Sequence, residues 1–307
     1  MTAAVTPRLL RTALALGAVG AAGLGYAAGV EVRAFRLRRA SVPVLPPGQP
    51  PLRVLHLSDL HLTPGQRRKR DFVRRLAALD PDLVVDTGDN LAHPGAVPTV
   101  LDALGPLLER PGVFVPGSND YFAPQAKNPA RYLLPWGDAT PVHRAELPWP
   151  ELRDSLVDAG WVDLTHARAT IDVDGRRLAF VGVDDPHLEL DRYEEVAGKA
   201  DPDADLAVGV THAPYQRILD GMVADSYRLL LAGHTHGGQL CVPGWGALVT
   251  NCDLEPQRAK GVSRHPAEDP DGAWLHVSAG LGTSPYAPVR FACPPEATLL
   301  TLTARAA

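Results

Sequence analysis

Five short apolar runs in this chain each stop at a cluster of Asp, Asn or His, and this pattern restricts the fold more than any other feature. The clusters are Ser58-Asp59-Leu60-His61, Asp86-Thr87-Gly88-Asp89-Asn90, Gly117-Ser118-Asn119-Asp120, Thr211-His212-Ala213-Pro214 and Gly233-His234-Thr235-His236-Gly237-Gly238. From residue 52 onward, apolar runs alternate with amphipathic ones, as expected of an α/β sheet protein. The pattern predicts strands at 52–57, 82–86, 112–116, 205–211 and 227–231, and helices at 67–79, 97–108, 151–159 and 215–222. A hairpin is predicted from 169–173 and 177–183 around Asp174-Gly175, a strong turn dipeptide. A second hairpin follows Gln239, and strands near 275–278 and 297–302 close the domain. Ligands gather at the carboxyl ends of strands in open α/β sheets, so the five clusters are expected to converge.

Their chemistry is that of a metal centre. Carboxylate, amide oxygen and imidazole suit Mn, Fe or Zn, and the lack of thiolates argues against a structural zinc cage. Six or seven ligands are too many for one tetrahedral ion but suffice for two ions about 3.5–4 Å apart with a bridging carboxylate. The alternate pairs Asp59/His61 and His234/His236 are expected to share one side of an extended chain. Two adjacent cations lower the pKa of a shared water, and the hydroxide so formed attacks phosphorus in line.

Composition removes competing classes. Hydrophobic residues make up 45% of the 307 and charged residues 21%, which excludes a largely disordered chain. Thirty basic residues against 35 acidic give a net charge of -5 and no global pull toward nucleic acid, so no nucleic-acid partner is expected. Three cysteines (Cys241, Cys252, Cys293) without a CxxC exclude a disulfide framework, and they are expected to be reduced.

Residues 12–30 carry no charge and, at 1.5 Å per residue, come close to crossing a bilayer core of ~30 Å. The preferred reading is a single-pass membrane anchor. A cleaved signal peptide and a buried helix are the alternatives. Arg33, Arg36, Arg38 and Arg39 follow the span, so the positive-inside rule puts the main domain on the cytoplasmic face, with the exported face as the alternative. Three segments result: 1–40 as anchor with a basic flank, 41–51 as a Pro-rich stiff linker, and 52–307 as the catalytic domain.

Residues 118–148 break the strand–helix rhythm and are long enough for a binding loop. Arg131 and His143 are its candidate substrate-binding residues, and His143 or His187 its candidate proton donors. His56 is expected to pack inside the first strand, while His93, His166, His265 and His276 read as loop or surface residues. Tyr286 and Arg290 either line the pocket or shape its wall.

The order SDLH, GDN, G-x-N-D, THAP, GHTHGGQ resembles the calcineurin-like metallophosphoesterases, most of all the bacterial membrane-associated branch similar to YkuE and YaeI. The closing run 280–302 resembles that branch too. The resemblance implies a four-layer α/β/β/α sandwich. It also implies that Asp59, His61 and His236 bind one ion, that Asp89 bridges, and that His212 and His234 hold the second ion with an asparagine oxygen. Asp89, Asn119 and Asp120 are the catalytic candidates. The family usually carries Gly-Asn-His-Asp or Gly-Asn-His-Glu where this chain has Gly117-Ser118-Asn119-Asp120. Asn119 is the preferred ligand, because a Ser118 hydroxyl is a poor neutral donor to a divalent ion. In either register the usual imidazole is missing. Loss of a proton donor typically costs ~10²–10⁴-fold, least with a good leaving group, so a phosphodiester or pyrophosphate is favoured over an alkyl monoester. The membrane anchor, and a family that includes UDP-diacylglucosamine hydrolase-like enzymes, suggest a lipid-linked substrate. The alternative is a metal-binding scaffold that has lost catalysis.

Overall fold

The computed structural model describes residues 7–126 and 144–306. Along the chain run α1 (Pro7–Gly29), β1 (Arg36–Leu45), β2 (Leu52–Leu57), α2 (Arg67–Arg75), β3 (Leu83–Asp86), α3 (Val97–Leu104) and β4 (Gly112–Phe114). Then come α4 (Ser118–Tyr121), α5 (Trp149–Asp158), β5 (Val162–Asp163), β6 (Ala167–Val173), β7 (Arg176–Gly182), β8 (Leu206–Val210) and α6 (Gln216–Ala224). The remainder is β9 (Leu229–Ala232), β10 (Cys241–Val242), β11 (Gly246–Ala247), β12 (Gly261–His265), β13 (Ala273–Val277) and β14 (Glu296–Ala304).

Two six-stranded mixed sheets result, ordered β1-β14-β2-β3-β4-β5 and β12-β13-β9-β8-β7-β6. Alternation along the strands sorts their side chains between clusters. Leu52 and Val54 of β2 join Phe180, Val208 and Leu231 of the second sheet in one apolar core, so the sheets face each other. Leu55 and Leu57 point the other way, toward Val73, Val100 and Leu152 of α2, α3 and α5. On the far side of the second sheet, Ile218, Leu219 and Met222 of α6 meet Val181, Leu230 and Leu275. The parallel strands β2, β3, β8 and β9 are buried on both faces, which is why they read as near-continuous apolar runs.

Three strands escape the sequence reading. β5 has two residues, and β12 is a half-exposed polar edge strand on β13. β1 is a correction: the first half of the expected stiff linker, residues 41–45, is instead the end of a strand that starts at Arg36. β1 pairs in parallel with β14 from Arg36↔Glu296 to Leu45↔Ala304, and Val42, Val44 and Leu45 are buried. Pro43 is tolerated because β1 lies at the sheet edge, where a missing N–H breaks no ladder, and the register slips between Pro43 and Leu45. Arg38, expected in the basic flank, instead donates to Glu296 at 2.7 Å.

The isolated histidines also need correction. His276 and His265 are not surface residues but buried members of β13 and β12. The Nδ1 atoms of His276 and His56 lie 2.8 Å apart, and His265 Nε2 is 2.7 Å from Asp220. Their partners are distant in sequence, so spacing could not reveal them.

In α1, Leu14, Leu16, Val19 and Leu24 are exposed, which sets aside the buried-helix reading. Residues Leu14–Arg33 form a candidate membrane span by length and composition.

Candidate metal centre

Asp59 and His61 follow β2, Asp89 follows β3, Asn119 is the second residue of the short turn α4 after β4, His212 follows β8, and His234 and His236 follow β9. Parallel strands of the two sheets thus deliver all seven residues to one end of the molecule. Two groups of ligating atoms lie within 4.8 Å of one another: Asp59, His61 and His236, and Asp59, Asp89 and His212. Asp59 is common to both. Asp89 stands between them, with Oδ2 3.4 Å from His61 Nε2 and Oδ1 3.6 Å from His212 Nε2. His234 Nδ1 joins at 3.3 Å from His212 Nε2.

The convergence is not achieved by extended chain, as the alternate spacing suggested. Asp59, His61, Asp89, His234 and His236 all have positive φ, between 42° and 68°. Such conformations are sparsely populated for residues with a Cβ and cluster where function imposes them. Each strand end turns sharply, and the turn swings alternate side chains inward. Close approach needs glycine at two points. A Cβ on Gly117 would collide with the Asp89 carboxylate and the His212 ring, and one on Gly233 with Ser58 Oγ and Asp59.

The surroundings leave lone pairs facing inward. His212 Nδ1 lies 2.6 Å from the Thr87 carbonyl; a carbonyl only accepts, so Nδ1 carries the proton and Nε2 faces the cluster. His234 is oriented likewise, Nε2 lying 3.2 Å from the Asn251 carbonyl. Asp59 Oδ1 and both ring nitrogens of His61 are buried without a hydrogen-bond partner. Buried polar atoms without partners are costly, and divalent cations would satisfy these, so the donor set fits the dinuclear centre of the resemblance.

Electrostatics agree. Burial pushes the His61 imidazolium down to about 4, leaving the ring neutral, which is the ligating form. Burial likewise holds His234 and His236 well below the usual imidazole range. Burial raises Asp59 to about 6, a tendency that His212 opposes. His212 moves up to about 9, because Asp89, Asp185 and Asp59 outweigh its desolvation.

Asn119 reaches Asp89 with both its backbone N–H (2.7 Å) and its side-chain amide (2.8 Å), while Ser118 Oγ sits 3.3 Å from that amide. Asp120 requires correction, because it does not face the cluster. Its carboxylate accepts the backbone N–H groups of Asp89, Asn90, Leu91 and Gly117 at 2.8–3.3 Å. Both oxygens are committed to holding the two ligand loops together, which makes Asp120 a positioning residue. Arg131 and His143 lie outside the described residues. His187 does reach the rim, its ring 4.4 Å from that of His234 and its Nδ1 3.2 Å from the Tyr215 hydroxyl.

Sequence reasoning missed several supports. Ser58 Oγ donates to Asp59 Oδ2 at 2.5 Å. Lys69, buried, donates to the Leu60 and His61 carbonyls at 2.6 and 3.2 Å. As one of four lysines in an arginine-rich chain, it carried a faint signal. Arg290 is fully buried and donates to the carbonyls of His236, Ala279, Gly280, Gly282 and Cys293, so it shapes the wall. Asn251, at the back of His234, had no motif to mark it.

Residues 52–238 match the family of calcineurin-like phosphoesterases. The Bacillus subtilis protein YpbG is 28% identical over 83% of this chain and 82% of its own length. The Bacillus subtilis metallophosphoesterase YkuE is 25% identical over 94% of this chain and 93% of its own. A Bos taurus transmembrane protein with a metallophosphoesterase domain is 29% identical over 65% of this chain, which spans 44% of that protein. With the family match covering more than half of the chain and the donor set gathered at the strand ends, the chain belongs to the calcineurin-like phosphoesterases and is a phosphoester hydrolase.

Proposed function

We propose that this protein hydrolyses a phosphodiester or pyrophosphate at a centre of two divalent cations, Mn, Fe or Zn, drawn from the oxygen- and nitrogen-donor class that the side chains suit. Asp59, His61 and His236 would hold one cation and His212, His234 and the Asn119 amide oxygen the other, with Asp89 between them. When bound, the pair supplies Lewis acidity and a water acidic enough to act as nucleophile at neutral pH.

The protein's own residues do the rest. His212 and His234 are fixed by the carbonyls of Thr87 and Asn251, so their inward nitrogens need no reorganisation. Asn119 restrains the Asp89 carboxylate through two donors. Asp120 locks the loops after β3 and β4 to each other. The observation that carries the reading is the pair of overlapping donor groups sharing Asp59.

The preference for a good leaving group follows from position 119, where an amide rather than an imidazole lies against Asp89. Anchoring by α1, with the domain on the cytoplasmic side, would bring a lipid-linked phosphate within reach. Turnover of bis(p-nitrophenyl) phosphate with added Mn²⁺, compared with the p-nitrophenyl monoester, tests the proposal. Faster diester hydrolysis that vanishes in Asp89→Ala is expected. Full metal stoichiometry with no turnover above that control would overturn it in favour of a scaffold.

A further inference from the structure

We propose that the hairpin β10–β11 and the adjoining loop around Tyr286 insert into the bilayer interface beside α1, seating the wall of the metal centre on the membrane. The proposal rests on α1 being membrane-embedded and goes beyond that reading by naming a second contact.

Outside α1, the large exposed apolar side chains of the described residues are concentrated here. Leu240, Val242, Trp245 and Leu248 lie on the hairpin segment and Tyr286 on the loop, with Trp245 76% exposed; Val30 directly follows α1, and Val157 and Leu190 lie elsewhere. The surrounding stretches are free of charge: residues 237–252 and 277–289 contain no Asp, Glu, Lys or Arg. An apolar patch without charge and tipped by Trp and Tyr suits the interfacial zone, where amphipathic aromatic rings settle and no ion must be desolvated.

The patch is continuous with the anchor. Leu240 bridges to Phe291, whose ring lies 6.3 Å from that of Tyr26 in the last turns of α1. Arg290 N–H donates to the Ala27 carbonyl, and Glu31 accepts from Ala292 and Cys293 at 3.1 and 2.6 Å. Gln239 holds the Tyr286 loop through the carbonyls of Ala287 and Val289. The hairpin therefore begins level with the end of the helix that would leave the bilayer.

It is also continuous with the site. His236 precedes the hairpin by four residues, Asn251 behind it braces His234, and Gly238 packs so closely on Ala247 that a side chain there would clash. On the other flank of the helix exit, Arg33, Arg68 and Arg75 line a cavity of about 380 Å³ with Phe35, Phe72 and Asp71. Arg68 and Arg75 make no ion pair among the described residues, so both are available to headgroup phosphates.

The test uses the full chain reconstituted in phosphatidylcholine vesicles whose acyl chains carry bromine. Emission that disappears in Trp245→Phe reports Trp245, and it should be quenched by the brominated chains and sheltered from aqueous iodide. Quenching by iodide but not by bromolipid, in protein that floats with the vesicles, would overturn the insertion while leaving the anchor intact. Protection from both quenchers together with a dimeric state would assign the patch to a second copy and overturn it equally. Failure to float would sink the anchor reading itself. Trp245→Glu with Leu248→Glu should lower turnover of a vesicle-borne phosphodiester on the order of tenfold, because the anchored domain loses its seat at the interface, and leave soluble diester hydrolysis unchanged. Equal turnover on vesicles would contradict the proposal.

Discussion

Asn119 holds the carboxylate of Asp89 from two directions, its backbone N–H on Oδ1 and its side-chain amide on Oδ2. The amide's oxygen and nitrogen exchange by rotation about one bond, so the same side chain can turn from donor on Asp89 to oxygen ligand of a cation. Asn119→Ala should lower metal affinity about 10–100-fold, as expected for loss of a group supporting a metal carboxylate. Isothermal titration with Mn²⁺ checks this, and unchanged affinity would remove Asn119 from the centre.

Asp120→Asn tests a positioning role against a catalytic one. Replacing a carboxylate that accepts four backbone N–H groups should cost roughly 2–4 kcal/mol of stability. Thermal unfolding should show the loss, while the pH profile of the remaining activity keeps its shape. A shifted profile at unchanged stability would return Asp120 to the chemistry.

Asp89→Asn removes the charge between the two donor groups and should reduce turnover by at least ~10²–10³-fold. Elemental analysis of the purified variant should find fewer than two metal equivalents. Two full equivalents with wild-type turnover would refute its bridging place.

Metal removal should destabilise as well as inactivate. Asp59 Oδ1 and the His61 nitrogens have no hydrogen-bond partner, so binding to the folded state alone supports the fold, by about 2.7 kcal/mol at a hundredfold excess over Kd. Chelation should lower the unfolding temperature and added Mn²⁺ restore it, as differential scanning fluorimetry would show. A chelated protein with unchanged unfolding temperature would contradict a bound metal.

The His56–His276 pair gives a pH dependence separate from the metal. A 2.8 Å contact between two Nδ1 atoms requires one N–H and one lone pair, and burial lowers His276 to about 4. The unfolded chain then binds more protons than the native one below the free imidazole value of about 6.5. Stability should fall as pH drops from about 6.5 toward 4, by about 3 kcal/mol for this group. Denaturant titrations of wild type and His276→Asn should differ in slope over that window. Parallel curves would show that the pair does not titrate on unfolding.

The apolar runs and what ended them were readable without coordinates. Period and turn residues locate strands such as β2 and β8 and the Asp174-Gly175 hairpin because those signals act between neighbouring residues. The ligand types were readable too, since donor chemistry is a property of each side chain, and the family match over residues 52–238 agrees with the motif order. Tertiary structure alone decided what those residues touch. β1 is a strand because β14, some 260 residues later, offers it an edge, and Pro43 there breaks no ladder. Asp120 braces loops instead of facing the centre because four backbone N–H groups from two strand ends close around it. His276 is buried because His56 comes from the opposite sheet. Local order is encoded in spacing along the chain, whereas partners across the fold exist only once the two sheets pack and exclude water between them.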